Sequence, residues 1–225
     1  DRVTLNDGSF ILSQVGKGAI GTGGNIEIDT KNISFTNTGG LDKSGIYTDT
    51  QGEGNAGSIF IKASDTVLLD SKALLLTQVG ETGIGDAGNI EIDTGNLTLK
   101  GESQILADTK GKGNAGNISV KASDLISFEA KSNATSQVED KAVGNGGNIE
   151  ISAKNINFNT KGSALNSSTK GKGQEGNPSQ AGNIVVKASE NINLDNSNFF
   201  SQVNAGAIGN AGNIEIETGN LSLTN

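Results

Sequence analysis

The stretch Asp86-Ala87-Gly88-Asn89-Ile90-Glu91-Ile92 is one copy of a phrase that returns along the whole chain. It recurs as Gly23-Gly24-Asn25-Ile26-Glu27-Ile28, Ala56-Gly57-Ser58-Ile59-Phe60-Ile61 and Ala115-Gly116-Asn117-Ile118-Ser119-Val120. Three later copies read Gly146-Gly147-Asn148-Ile149-Glu150-Ile151, Ala181-Gly182-Asn183-Ile184-Val185-Val186 and Ala211-Gly212-Asn213-Ile214-Glu215-Ile216. Measured between the second glycines, the intervals are 33, 31, 28, 31, 35 and 30 residues. A unit of that size cannot bury its own apolar face, so neighbouring units must stack on one another as a solenoid.

Behind each marker glycine the residues alternate apolar and polar with period two, the mark of a strand with one buried face. The first segment places Ile26, Ile59, Ile90, Ile118, Ile149, Ile184 and Ile214 inward, and two residues on Ile28, Ile61, Ile92, Val120, Ile151, Val186 and Ile216. The second places Ile33, Val67, Leu97, Ile126, Ile156, Ile192 and Leu221, then Phe35, Leu69, Leu99, Phe128, Phe158, Leu194 and Leu223. Val3 and Leu5 fit the same pattern as an opening second segment. A third, looser segment reads Ile46-x-Thr48-x-Thr50, Leu75-x-Thr77-x-Val79, Ala134-x-Ser136-x-Val138 and similar. Small hydroxyl residues point inward there, and they need backbone or mutual hydrogen bonds.

Three strands per repeat, stacked at about 4.8 Å, predict an all-β, three-faced parallel β-helix of about seven coils. A right-handed sense is expected, because strand-to-parallel-strand connections nearly always turn that way. The whole chain, 1–225, is one repeat segment without an internal boundary.

A two-coil period lies over the single coil. From the last inward residue of the first segment to the first of the second, the step is 5 at Ile28, Ile92, Ile151 and Ile216, but 6 at Ile61, Val120 and Val186. Loops alternate too, with Ile20, Ile84, Val143 and Ile208 in one type and Glu53, Lys112 and Lys172 in the other. The column Asp29, Lys62, Asp93, Lys121, Ser152, Lys187 and Glu217 sets acids beside lysines and so avoids stacking like charges.

Composition removes several function classes. No cysteine or histidine is present, which excludes disulfides, thiol catalysis and the commonest general base and transition-metal ligand. Net charge is −8, from 17 basic and 25 acidic residues, with Arg2 the sole arginine, and nucleic acid is not expected as a partner. No run of 18 apolar residues suggests a transmembrane segment. The start, Asp1-Arg2-Val3-Thr4, has no initiator methionine or leader pattern, so the chain reads as a fragment of a longer fibrous protein.

Sites are sought where the repeat breaks. The loop before Gly182 holds about six extra residues, Gln174, Glu175, Gly176, Asn177, Pro178 and Ser179, and is the candidate surface-recognition loop. Gly52-x-Gly54-x-x-Gly57, Gly111-x-Gly113-x-x-Gly116 and Gly171-x-Gly173-x-x-Gly176 match a dinucleotide fingerprint, but a strand follows where a phosphate-binding helix is needed. They read as turn glycines. Acidic columns are too regular for a catalytic pair, and a pair such as Glu139-Asp140 reads as solvated loop charge, so no enzyme, cofactor or metal is expected. The column Asn25, Ser58, Asn89, Asn117, Asn148, Asn183, Asn213 reads as a corner ladder, with asparagine accepting left-handed geometry and bonding to the next coil. Ile20, Ile84, Val143 and Ile208 either fold over the adjacent strand or line one edge, and packing is the expectation.

Gly-Asn-Ala-Gly-Asn-Ile at 113–118, Gly-Asn-Ala-Gly-Asn-Ile-Glu-Ile at 209–216 and Gly-Asn-Leu-Ser-Leu-Thr at 219–224 resemble the passenger repeats of filamentous-haemagglutinin-like exoproteins of cyanobacterial type. The resemblance covers essentially the whole chain, although the secretion domain such families carry is not evident in it. It implies a secreted, cell-surface fibre exported by two-partner secretion through an outer-membrane partner, and an adhesive or matrix-building role. The expected function is therefore a structural and adhesive shaft segment. Its partners would be further coils of the parent chain, identical copies end to end, and cell-surface or matrix glycans. The alternative is a polysaccharide-binding or polysaccharide-cleaving β-helix, which clustered aromatics in a groove would favour. The register itself is testable: Ile149→Asp would bury an unpaired carboxylate in a central column and should break the stack. Thermal unfolding unchanged from wild type would overturn it.

Overall fold

Extended segments with one apolar edge can satisfy their backbone only by adding side by side, and the chain does so coil after coil. The computed structural model describes residues 1–37, 43–159, 162–171, 173 and 178–225. Among these, all regular structure is β-strand, and the strand pairs of the two main sheets are parallel. An eight-stranded sheet stacks Arg2–Asn6, Ile26–Thr36, Ile59–Leu69, Ile90–Leu99, Ile118–Glu129, Ile149–Asn159, Ile184–Asp195 and Ile214–Thr224 in chain order. A seven-stranded sheet stacks Phe10–Val15, Gly45–Thr50, Leu74–Val79, Gln104–Thr109, Asn133–Thr135, Ala164–Asn166 and Asn198–Phe200. The architecture is a β-solenoid of about seven turns.

The expected first and second strands are thus one long strand bent at a corner, and only the third stands apart. Register follows the sequence columns: Ile90 pairs with Ile59 and Ile118, Leu97 with Val67 and Ile126, and Val3 with Ile33. In the interior coils these side chains are buried, and together they form one continuous core. Phe128 and Phe158 stack with ring centroids 4.6 Å apart and planes 6° from parallel, so the aromatic column repeats at the spacing of the strands.

The corner differs from expectation in one respect. The core does not pass directly from Ile28 to Ile33, because a third inward residue intervenes: Thr30, Ala63, Thr94, Ala122 and Ala188 are buried. After it the longer corners carry a β-bulge. Ser64-Asp65 faces Lys31 on one side and Gly95 on the other, and Ser189-Glu190 faces Lys154 and Gly219. Thr94 Oγ1 and Thr218 Oγ1 donate within their own corners, to the carbonyls of Asn96 at 3.2 Å and Asn220 at 3.1 Å, and lie 3.5 Å and 3.3 Å from the bulge carbonyls of Asp65 and Glu190. The two-coil period is an alternation of bulged and unbulged corners.

At the other corner, the marker glycines stack without side chains. A Cβ on Gly57, Gly88, Gly116, Gly147 or Gly182 would lie 1.8–2.1 Å from the carbonyl oxygen of the marker glycine one coil back. Inward hydroxyls of the third strand cross the narrow interior to this same corner. Thr77 Oγ1 donates to Gly88 O at 2.6 Å, Ser136 Oγ to Gly116 O at 2.7 Å and Ser167 Oγ to Gly147 O at 2.8 Å. Ser136 Oγ also accepts from Gly147 N at 2.8 Å, which ties two successive coils together.

Two substitutions separate close packing from backbone freedom. Gly116→Ala should cost about 3 kcal/mol, because the clash is with backbone that cannot give way. Gly16→Ala, with no atom within 4 Å of the new methyl, should gain about 0.4–1 kcal/mol through the unfolded chain. Urea unfolding of the two variants checks the contrast, and similar shifts in both would refute it.

Candidate functional site

The asparagine column is a ladder, built from side-chain carbonyls rather than left-handed backbone. None of its asparagines has positive φ among the described residues. Instead each side chain accepts the backbone N–H of its counterpart in the next coil: Ser58 N to Asn25 Oδ1 at 2.9 Å, Asn117 N to Asn89 Oδ1 at 2.9 Å, Asn148 N to Asn117 Oδ1 at 2.8 Å and Asn183 N to Asn148 Oδ1 at 2.8 Å. A second ladder, not anticipated, runs three residues earlier through Asn55, Asp86, Asn114, Asn145 and Gln180, with bonds of 2.7–3.0 Å. Its signal was present as two asparagines three apart in Gly-Asn-Ala-Gly-Asn. Both ladders commit side-chain oxygens to holding one coil on the next.

The G-x-G-x-x-G triplets are explained by the same stacking. Added Cβ atoms on Gly52, Gly54 and Gly57 would fall 2.3, 1.7 and 2.0 Å from carbonyl oxygens of the preceding coil. Gly54 and Gly113 have φ of 129° and 141°, and their N–H groups donate to the carbonyls of Ile84 and Val143. These two N–H groups are bonded to the next coil and are not offered to a phosphate. Among the described residues, no group of three or more acidic side chains converges as a metal site. Glu139 accepts from Lys170 Nζ at 2.9 Å. In the charged column, Lys187 closes on Glu217 at 3.3 Å and Glu215 at 3.7 Å, and these carboxylates hold its ammonium above the ordinary lysine value.

Of the candidate loop, Gln174, Glu175, Gly176 and Asn177 lie outside the described residues, as does Lys172. Pro178 is half-buried. Ser179 is not a surface residue: it is buried, opens the strand Ser179–Gln180, and pairs with Gly209. Its hydroxyl lies 2.7 Å from Thr169 Oγ1 inside the coil, a polar contact that the inward Thr169 requires. The extra residues therefore end at Pro178, and regular stacking resumes one residue sooner than the sequence reading placed it.

The loop isoleucines also depart from expectation. Ile20, Ile84 and Ile208 are 83%, 50% and 62% exposed, so they do not fold over the strand. Ile20 and Ile84 sit on single-residue bridges that run Ile20, Glu53, Ile84, Lys112, Val143, so a charged residue separates each from the next, and Val143 is half-buried.

The feature that breaks the outer surface is on the seven-stranded sheet. Its outward positions, expected to be polar, include Phe10, Leu12, Tyr47, Leu76 and Leu106, with Leu12, Tyr47, Leu76 and Leu106 in one register row. The run Leu74-Leu75-Leu76, apolar on both parities, was the available sign. Phe10, Leu12, Tyr47 and Leu76, with Gly8, Lys43, Asp49 and Gln78, line a groove of about 350 Å³. Phe10 meets Tyr47 edge to face at 6.0 Å, over Gly45, where a Cβ would lie 1.9 Å from the Leu74 carbonyl. Two residues further along the strands lies a row of alternating amide and acid, Gln14, Asp49, Gln78, Asp108. Asp49 is only 5% exposed; its Oδ2 accepts from Gln14 Nε2 at 2.9 Å and Gln51 Nε2 at 2.8 Å, while Oδ1 has no donor.

Asp108, two coils on, is buried but fully engaged by Thr135 Oγ1 and the Gln137 N–H at 2.8 Å. Burial pushes its carboxyl from 3.8 up to about 7, outweighing the lowering by those donors.

Fold and corner chemistry together define a parallel β-solenoid. Comparison of the chain with protein-family models, curated proteins and solved structures gives no significant match.

The raised Asp108 carboxyl has a consequence for stability. The folded chain keeps this proton to about pH 7 while the unfolded chain releases it near 3.8, so stability should fall as pH rises through that window, by at most about 4 kcal/mol. Asp108→Asn should flatten the profile and raise the melting temperature at pH 8. Parallel losses in variant and wild type would show that another group is responsible.

Proposed function

We propose that this chain is a structural and adhesive shaft segment of a secreted, surface-associated fibrous protein. The observation that carries the reading is the unbroken stack itself: the inward columns of successive coils form one continuous core, and side-chain ladders tie each corner to the next, which is the build of a stiff spacer. Further coils of a parent chain or identical copies end to end are the partners that such a stack would take. The resemblance of 113–118 and 209–216 to exoprotein repeats supports a fibre at the cell surface, with export through an outer-membrane partner and glycans as contacts.

Sedimentation velocity of the segment over a wide concentration range tests the axial part. The expected result is concentration-dependent association into elongated species, suppressed by Leu221→Lys with Leu223→Lys. A monodisperse monomer at high concentration would refute it.

A further inference from the structure

We infer that the loop edge carrying Ile20, Glu53, Ile84, Lys112 and Val143 pairs laterally with the same edge of a second, antiparallel copy of this chain. The pairing concerns the side of the solenoid; it goes beyond the shaft reading and does not rest on it.

These five residues bridge one to the next in parallel register, so they follow one another at about 4.8 Å and span roughly 19 Å from Ile20 to Val143. Each stands between two small residues: Ala19 and Gly21, Gly52 and Gly54, Gly83 and Gly85, Gly111 and Gly113, Ala142 and Gly144. With flanks no larger than a methyl group, the row is open to a partner. Ile20 and Ile84 are 83% and 50% exposed, and Glu53 and Lys112 are exposed beside them. Neither Glu53 nor Lys112 has an ion-pair partner among the described residues.

The order of charges selects both the partner and its direction. The row reads apolar, acid, apolar, base, apolar, and turned end for end about Ile84 it is its own complement. Ile84 then meets Ile84, Ile20 meets Val143, and Glu53 meets Lys112 on both sides of a two-fold axis, the self-matching that an isologous contact demands. Lys17, in the loop of Ile20, comes to Asp140, in the loop of Val143. Other arrangements are penalised. Parallel copies in register set Glu53 on Glu53 and Lys112 on Lys112, and an antiparallel pair centred on Lys112 sets lysine on lysine. In the favoured pairing Glu81 and Asp86 of the central coil come to their own counterparts, a like-charge cost, although Asp86 already commits its Oδ1 to Asn114 N and Nδ2 at 2.7 and 3.0 Å. A stripe one side chain wide is also smaller than a standard interface, so the pairing is weak for one segment.

The chain has no cysteine, so single introduced cysteines report on the contact. Under mild oxidation, Ile84→Cys, on the two-fold axis, should form a disulfide-linked dimer faster than Glu91→Cys on the eight-stranded sheet. Glu53→Cys mixed with Lys112→Cys should give the mixed dimer in excess of either self-linked one. In the Ile84→Cys protein, Glu53→Lys should slow cross-linking several-fold, and adding Lys112→Glu should restore it. Circular dichroism confirms that each variant is folded. Equal rates for Ile84→Cys and Glu91→Cys, self-linking of Glu53→Cys as fast as the mixture, or no recovery on double charge reversal would overturn the pairing. Leu221→Lys with Leu223→Lys suppresses axial association, so cross-linking in that background reads the lateral edge alone, and either reading can fail without the other.

Discussion

One close approach repeats at every coil of this molecule: each marker glycine lies against the carbonyl of the marker glycine one coil back. With a Cβ placed 1.8–2.1 Å from that oxygen, any side chain would force successive coils apart at one corner while the strands still demanded their ordinary separation. Everything else accommodates this contact. Third-strand hydroxyls cap the glycine carbonyls from inside, and asparagine side chains flank them with bonds to the coil above. The corner is held by backbone proximity and polar saturation, and the apolar columns fill the space that this frame leaves.

The second corner solves a different problem. A bulge lengthens every other coil, and the unbulged coil beside it carries a threonine and a glycine at Thr94-Gly95 and Thr218-Gly219, against Thr30-Lys31 and Ala153-Lys154 in the other two. Here alternation sets bulged corners beside unbulged ones. The lysine and acid column lies beside it, but only Lys187 closes to ion-pair distance with its stacked neighbour. Exposed pairs of this type are worth roughly 0–1 kcal/mol, so the alternation of bulged and unbulged corners is the stronger mark of a two-coil unit.

The inward columns were legible because period-two alternation, repeated seven times, leaves no other parity for Ile90, Leu97 or Leu75 to adopt. What escaped notice depended on geometry between coils, which a linear pattern does not record. Thr94 looked like a corner residue until the bulge opposite it was seen. Of the two roles expected of Asn89, the bond to the next coil is present at Asn117 N, while the left-handed backbone is not. Ile84 is apolar yet exposed on a single-residue bridge. Tyr47 and Leu76 alternate with the inward Ile46 and Leu75, so period two alone assigns them outward without showing that they share one row. Ser179 was grouped with a loop whose other members looked alike in sequence, but it belongs to the strand that follows.

The asparagine ladders bear on how such a chain ages. Asparagine deamidates when the next residue's backbone nitrogen attacks the side-chain carbonyl, and a following glycine makes that attack easiest. The sequence has one Asn-Gly step, Asn145-Gly146. There the Gly146 nitrogen donates to the Gln180 carbonyl at 2.7 Å, and Asn145 Oδ1 accepts from Gln180 N at 3.0 Å. Nucleophile and electrophile are each bound to the next coil and held apart. The bonds that keep these coils in register also hold Asn145 away from its own chemistry.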